Sequence, residues 1–113
     1  MLINNMKKIE LTVFEYKCLC GAATAACSVV EAMCEIMPDI ARIGEKYLSL
    51  SLYLINLNIN RGENGNHYFA ISEQYFDVSV DAINLALAHL SRKKFKKQIN
   101  NLINIRNKIK RGG

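Results

Sequence analysis

The chain has 113 residues, half of them apolar, which is the size of one domain whose core needs neither disulfides nor metal to fold. Its longest apolar run, residues 18–30, is interrupted by Thr24 and Ser28 and followed by Glu31, short of the roughly 18–20 residues that span a bilayer, so no membrane segment is expected. The net charge of +5 is uneven: residues 1–57 carry five basic against six acidic groups and residues 58–113 carry ten against four, an asymmetry that points to a polyanionic partner.

At the N-terminus Lys7 and Lys8 are followed by Glu10 and Glu15 before any apolar stretch. The run GAATAAC resembles a leader cleavage site only in its small residues, so a cytoplasmic chain is expected. Cys18, Cys20, Cys27 and Cys34 are spaced x1, x6 and x6, unlike the paired x2 spacing of zinc sites. On a helix, Cys20, Cys27 and Cys34 share a face but lie two turns apart, too far to bridge. They read as free, buried thiols in a reducing compartment.

From 11 to 37 the spacing is helical: Leu11, Phe14, Cys18, Gly21, Ala25, Cys27, Val30, Cys34 and Met37 recur at about three- to four-residue spacing, and Pro38 ends the run. Its small residues admit another helix at close range, so this is expected to be a central helix. Residues 8–13, KIELTV, also alternate as a short strand does. The next segment is ambiguous. Leu48, Leu50, Leu52 and Leu54 alternate as in a strand, whereas Ile43, Tyr47, Leu50, Leu54 and Leu57 form a helical stripe. A strand makes residues 61–66 a hairpin loop and HYFAIS the return strand, an α+β fold with a 47–60/67–73 hairpin. A helix makes the same residues an interhelical loop, with Gly62 or Gly65 taking the left-handed position. Length favours the helix.

Residues 69–97 have the rhythm of a helix-turn-helix: Ile71 and Tyr75 or Phe76 on a first helix, Asp77 at the turn, and Val78, Ile83, Leu87 and Leu90 on the inner face of a second helix capped by Ser79. A last, basic amphipathic helix over 92–111 follows from Phe95, Ile99, Leu102, Ile105 or Arg106, and Ile109, and Gly112 and Gly113 terminate it. The expected architecture is therefore all-α, a single domain spanning 1–113 with four to five helices.

Past Asp81 there is no acidic residue and there are nine basic ones. With residues 79–90 as a recognition helix, Ser79, Asn84 and His89 are the side chains placed to reach DNA, Asn84 preferring adenine. Arg92, Lys93, Lys94, Lys96 and Lys97 are placed to hold phosphates. The outward Val80, Asp81, Asn84, Leu85 and Ala88 are nearly neutral, so weak sequence specificity with steep salt dependence is expected of a small bacterial, plasmid or phage DNA-binding regulator. The competing expectation is a helical interaction module, an inhibitor, adaptor or homo-oligomeric scaffold, that uses the small-residue face of 20–34 or the outer face at Val80, Leu85 and Ala88.

Nothing points to catalysis, a metal or a cofactor. His67 and His89 have no ligand partner at a metal-site spacing, Gly62 and Gly65 make no phosphate loop, and no base stands beside a cysteine.

Glu35-Ile36, Pro38, Gly44, Tyr47-Leu48, Ile71-Ser72, Tyr75, Ala86 and His89 stand in an order similar to the C-terminal DNA-binding effector domain of the sporulation master response regulator of spore-forming bacteria. The resemblance covers about residues 28–97 and implies a helix-turn-helix and DNA as partner. The chain departs from that family in one extra residue near Phe76, in having no phosphoacceptor receiver domain, and in lacking arginines on the recognition helix, where Asp81 stands and positive charge begins only at Arg92.

Overall fold

The computed structural model describes residues 7–57, 59–61 and 67–112. Strand β1 (Lys8–Thr12) follows from the alternation of KIELT, with Ile9 and Leu11 buried between exposed neighbours. It pairs antiparallel with β3 (His67–Ser72), in a register that sets Ile9 against Ile71 and Leu11 against Phe69, all four buried on one face. The two-residue β2 (Asn60–Arg61) lies on the other side of β3, giving the order β1-β3-β2 among the described residues.

Thr12 closes β1 and opens α1 (Val13–Cys34) through a capping box: the Glu15 amide donates to Thr12 Oγ1 at 3.1 Å, and the Thr12 amide donates to Glu15 Oε1 at 3.0 Å. This helix is central, as its small residues imply. Leu19, Ala22, Ala23, Ala26 and Val30 are buried against α2 (Ala41–Ile55), α3 (Phe76–His89) and α4 (Lys96–Gly112). By length and mean hydropathy α1 is also apolar enough to cross a membrane, which the expectation drawn from residues 18–30 denied. The core helix of a globular protein meets the same arithmetic.

Pro38 starts a 3₁₀ turn, Pro38–Ile40, that leads into α2. The ambiguity over 47–59 resolves as helix through Ile55: Tyr47, Leu50 and Leu54 are buried at i, i+3 and i+7, while Leu48 and Leu52 face outward. Asn56 ends the helix by donating its side-chain amide to the Leu52 carbonyl at 2.8 Å. Gly44 eases the close approach of α1 and α2, because a Cβ on it would lie 3.0 Å from Val30 Cγ1 and press on that side chain.

HYFAIS is a strand, as in the hairpin alternative, but its long partner is β1 rather than 47–60. The expected helical class holds, with four α-helices among the described residues, and a small antiparallel sheet is added to it. The first helix of the expected helix-turn-helix does not form: residues 69–72 belong to β3, and only the 3₁₀ turn Glu73–Tyr75 precedes α3. The reason is that Phe69 and Ile71 bury with period two against Leu11 and Ile9, and aromatic stacks hold the strand and the 3₁₀ turn after it. Tyr16 stacks on Phe69 at 3.6 Å between ring centroids, and Tyr53 stacks on Tyr75 at 3.7 Å. The Tyr53 hydroxyl also accepts from the Ser72 amide at 3.0 Å. The glycines expected to shape the 61–66 loop, Gly62 and Gly65, lie outside the described residues.

Helix α3 begins at Phe76, so Asp77 sits in its first turn rather than in an interhelical turn, and Ser79 is a buried interior position rather than an N-cap. Helix α4 buries Leu102, Ile105 and Ile109 and joins the same core as α1, α2 and α3. It begins at Lys96, four residues later than the basic stretch suggested.

Candidate functional site

Positive charge gathers where α3 ends and α4 begins. Arg92, Lys93 and Lys94 are exposed on the turns between the helices, and the first turn of α4 carries Lys96 and Lys97 with no acidic residue. A helix N-terminus is the positive end of the macrodipole, where side-chain cations are unfavourable and an external anion is favoured. Two basic side chains in that turn therefore add to the positive field there.

Beside this turn runs a groove of about 520 Å³ between α3 and α4. Leu87, Ile99 and Ile103 give it an apolar floor, and Arg92, Lys96 and Arg106 are its charged lining. No acidic side chain lines it among the described residues. On α4 the residues Lys96, Ile99, Ile103 and Arg106 fall at three- and four-residue steps, which puts them on one face. Arg106 is anchored: its Nη1 donates to Asn84 Oδ1 at 2.7 Å, while its buried Nε has no partner among the described residues. Arginine is suited to such a position because its planar fork can hold one partner and present further N–H groups to a phosphate or carboxylate.

The residues picked from sequence thus separate into two sets. Arg92 and Lys96 line the groove, whereas Lys93, Lys94 and Lys97 are exposed nearby in sequence but do not line it. Lys97 Nζ sits 5.9 Å from the Phe14 ring centroid, and Lys94 Nζ the same distance from that of Phe95. Asn84 is exposed on α3, but its carbonyl oxygen serves Arg106, which takes up half of the bidentate pattern needed to read adenine. His89 is exposed at the last position of α3. Ser79 is fully buried, its hydroxyl without a hydrogen-bond partner among the described residues, so it is out of reach of any external ligand. Asp81, the acid on the expected recognition helix, is engaged by Lys46 Nζ at 2.9 Å. That hydrogen bond holds the Lys46 ammonium above the usual lysine range.

Sequence reasoning missed the groove itself. Arg106 stood only as an alternative to Ile105 on the inner face of the last helix, and its link to Asn84, 22 positions away, has no local signature. The usable signal was the spacing of Arg92, Lys96, Ile99, Ile103 and Arg106.

A second surface lies on α2. Leu48, Leu52 and Ile55 are 54%, 53% and 71% exposed and stand at i, i+4 and i+7, an apolar stripe opposite the buried one. The faces expected to serve as interaction surfaces are more covered: Cys20, Cys27, Cys34, Val80 and Leu85 all pack partly against the core. The four thiols are free.

No protein-family model matches the chain, and no curated protein and no solved structure matches it.

Proposed function

We propose that this protein is a small, non-enzymatic DNA-binding regulator that grips the phosphate backbone through the α3–α4 groove and the basic turn before α4. The observation that carries the reading is the convergence of Arg92, Lys96 and Arg106 on a groove with no acidic lining among the described residues, next to a helix N-terminus rich in lysine. Helix α3 contributes framework more than base recognition, since Ser79 is buried and Asn84 is occupied by Arg106. The free thiols suit a reducing, cytoplasmic setting.

The test is binding to random-sequence duplex DNA across a salt series. Withdrawing one cation from a phosphate lowers the magnitude of the log K against log salt slope by about 0.9. A variant with Arg92, Lys96 and Arg106 all changed to Gln is expected to lose between about two and three units of slope. No detectable binding at low salt, or a triple variant identical to the wild type, would falsify the reading.

The second reading, a helical interaction module, is favoured by one observation, the exposed Leu48, Leu52 and Ile55 stripe on α2. Light scattering separates the two. A stable oligomer dispersed by Leu52→Glu, with no affinity for DNA, favours the interaction module.

A further inference from the structure

We propose that the cleft between α1 and the N-terminal half of α4 is a binding site for a small anionic amphiphile, a medium-chain carboxylate whose tail lies along Gly21 and whose head meets Lys17. The cleft has a volume of about 340 Å³ and is walled mainly by apolar side chains, among them Phe14, Ala25, Leu90, Phe95 and Leu102. That volume lies at the lower end of the range for small-molecule sites, about 300–1,000 Å³, which suits a small occupant.

The argument rests first on Gly21. It lies in the interior of a 22-residue helix, where glycine weakens the helix relative to alanine. A Cβ at Gly21 would meet nothing within 4 Å, whereas one at Gly44 would lie 3.0 Å from Val30 Cγ1, a tight contact. Close packing within the chain therefore gives a reason for glycine at 44 and none at 21, where the missing side chain leaves the cleft open. The second argument is charge. Lys17, one turn before Gly21, lines the cleft, and Lys97, which does not line it, has its Nζ 5.9 Å from the centroid of the Phe14 ring that does. No carboxylate lines it among the described residues. The nearest acid on α1, Glu15, is buried and committed to Lys108, 2.7 Å from its Oε1. The polar end of an occupant thus meets Lys17, with Lys97 near the Phe14 wall and no competing acid in the lining, and Gln98 adds an amide donor to that lining. Cys18 also borders the cleft, and burial, with a smaller contribution from the Glu15 carboxylate, pushes its thiol up, so that it stays a neutral part of the wall. This site is separate from the α3–α4 groove and does not depend on the DNA-binding reading.

The test is calorimetric titration of the full chain with decanoate and with 1-decanol. Decanoate is expected to saturate a single site and to bind more tightly than the alcohol. Gly21→Ala leaves most of the space and keeps binding. Gly21→Leu, a change that favours the helix and so leaves the fold intact, fills the cleft and weakens decanoate by at least about tenfold. Lys17→Gln combined with Lys97→Gln removes the preference for the carboxylate, on the order of fivefold, and leaves decanol unchanged. The proposal fails if decanoate does not saturate, if Gly21→Leu binds like the wild type, or if decanol binds as tightly as decanoate. It also fails if light scattering shows a wild-type dimer that Gly21→Leu disperses, since the occupant is then a second copy.

Discussion

Arg106 and Asn84 are joined across the α3–α4 groove by a 2.7 Å hydrogen bond from Nη1 to Oδ1, and this bond separates charge from position in the proposed DNA grip. Arg106→Gln removes one cation and is expected to reduce the magnitude of the salt slope by about 0.9. Asn84→Ala keeps every cation but frees the guanidinium to move. It should weaken binding by roughly two- to fivefold, the worth of one positioning hydrogen bond, with no change in slope. Equal slope changes in the two variants sink the assignment of these roles.

The Tyr53 hydroxyl accepts from the Ser72 amide, so Tyr53→Phe leaves a half-buried backbone donor at the end of β3 unpartnered while preserving the stack on Tyr75. A loss of about 1–2 kcal/mol is expected in denaturant unfolding, with faster amide exchange at Ser72. A helical 71–76 segment, as in a helix-turn-helix, would make no such bond and would be indifferent to the change.

Much of the fold was legible where one periodicity is enough. Pro38 marked the end of the first helix, the small residues of 21–27 marked it as central, and Leu102, Ile105 and Ile109 marked the inner face of α4. What misled was a segment whose partner is remote. KIELT and HYFAIS each looked like short strands, yet neither could name the other across more than fifty intervening residues. The helical stripe through Ile71 and Tyr75 then competed without contradiction. The candidate site divided in the same way. The basic run 92–97 is local and was visible. Arg106 joins it only through tertiary packing, and Ser79 leaves it because α3 starts three residues before that position.

Glu15 has two duties, as N3 of the capping box of α1 and as partner of Lys108 on α4. Lys108→Met removes the ion pair but keeps the box, and since Lys108 is partly exposed it is expected to cost about 1 kcal/mol. Glu15→Ala breaks the side-chain bond to the Thr12 amide and leaves the Lys108 ammonium without its carboxylate. About 2 kcal/mol is expected from that change. The double variant should cost less than the sum of the two, because the ion pair is then counted once. Chemical denaturation of the four proteins provides the cycle, and strict additivity would remove the pair from the stability of the fold.

Tyr16 makes the fold sensitive to alkali. Burial, supported by the neighbouring Cys20 thiol, raises its phenol from the ordinary 10.0 to about 12. Its hydroxyl donates to the Leu54 carbonyl and ties α1 to the end of α2. Below the ordinary value both the folded and the unfolded chain keep this proton, so Tyr16 adds no pH dependence there. As pH rises through that value the unfolded chain releases the proton while the folded chain holds it. The unfolded state then binds fewer protons, and stability falls until the folded-state value of about 12 is reached. Tyrosinate absorbance, taken as the difference between wild type and Tyr16→Phe, should show one phenol ionising late or only as the protein unfolds. The same substitution should flatten the decline of the denaturation midpoint across that interval. A difference spectrum that titrates at the ordinary tyrosine value would place Tyr16 in water and undo its role as a tie between the two helices.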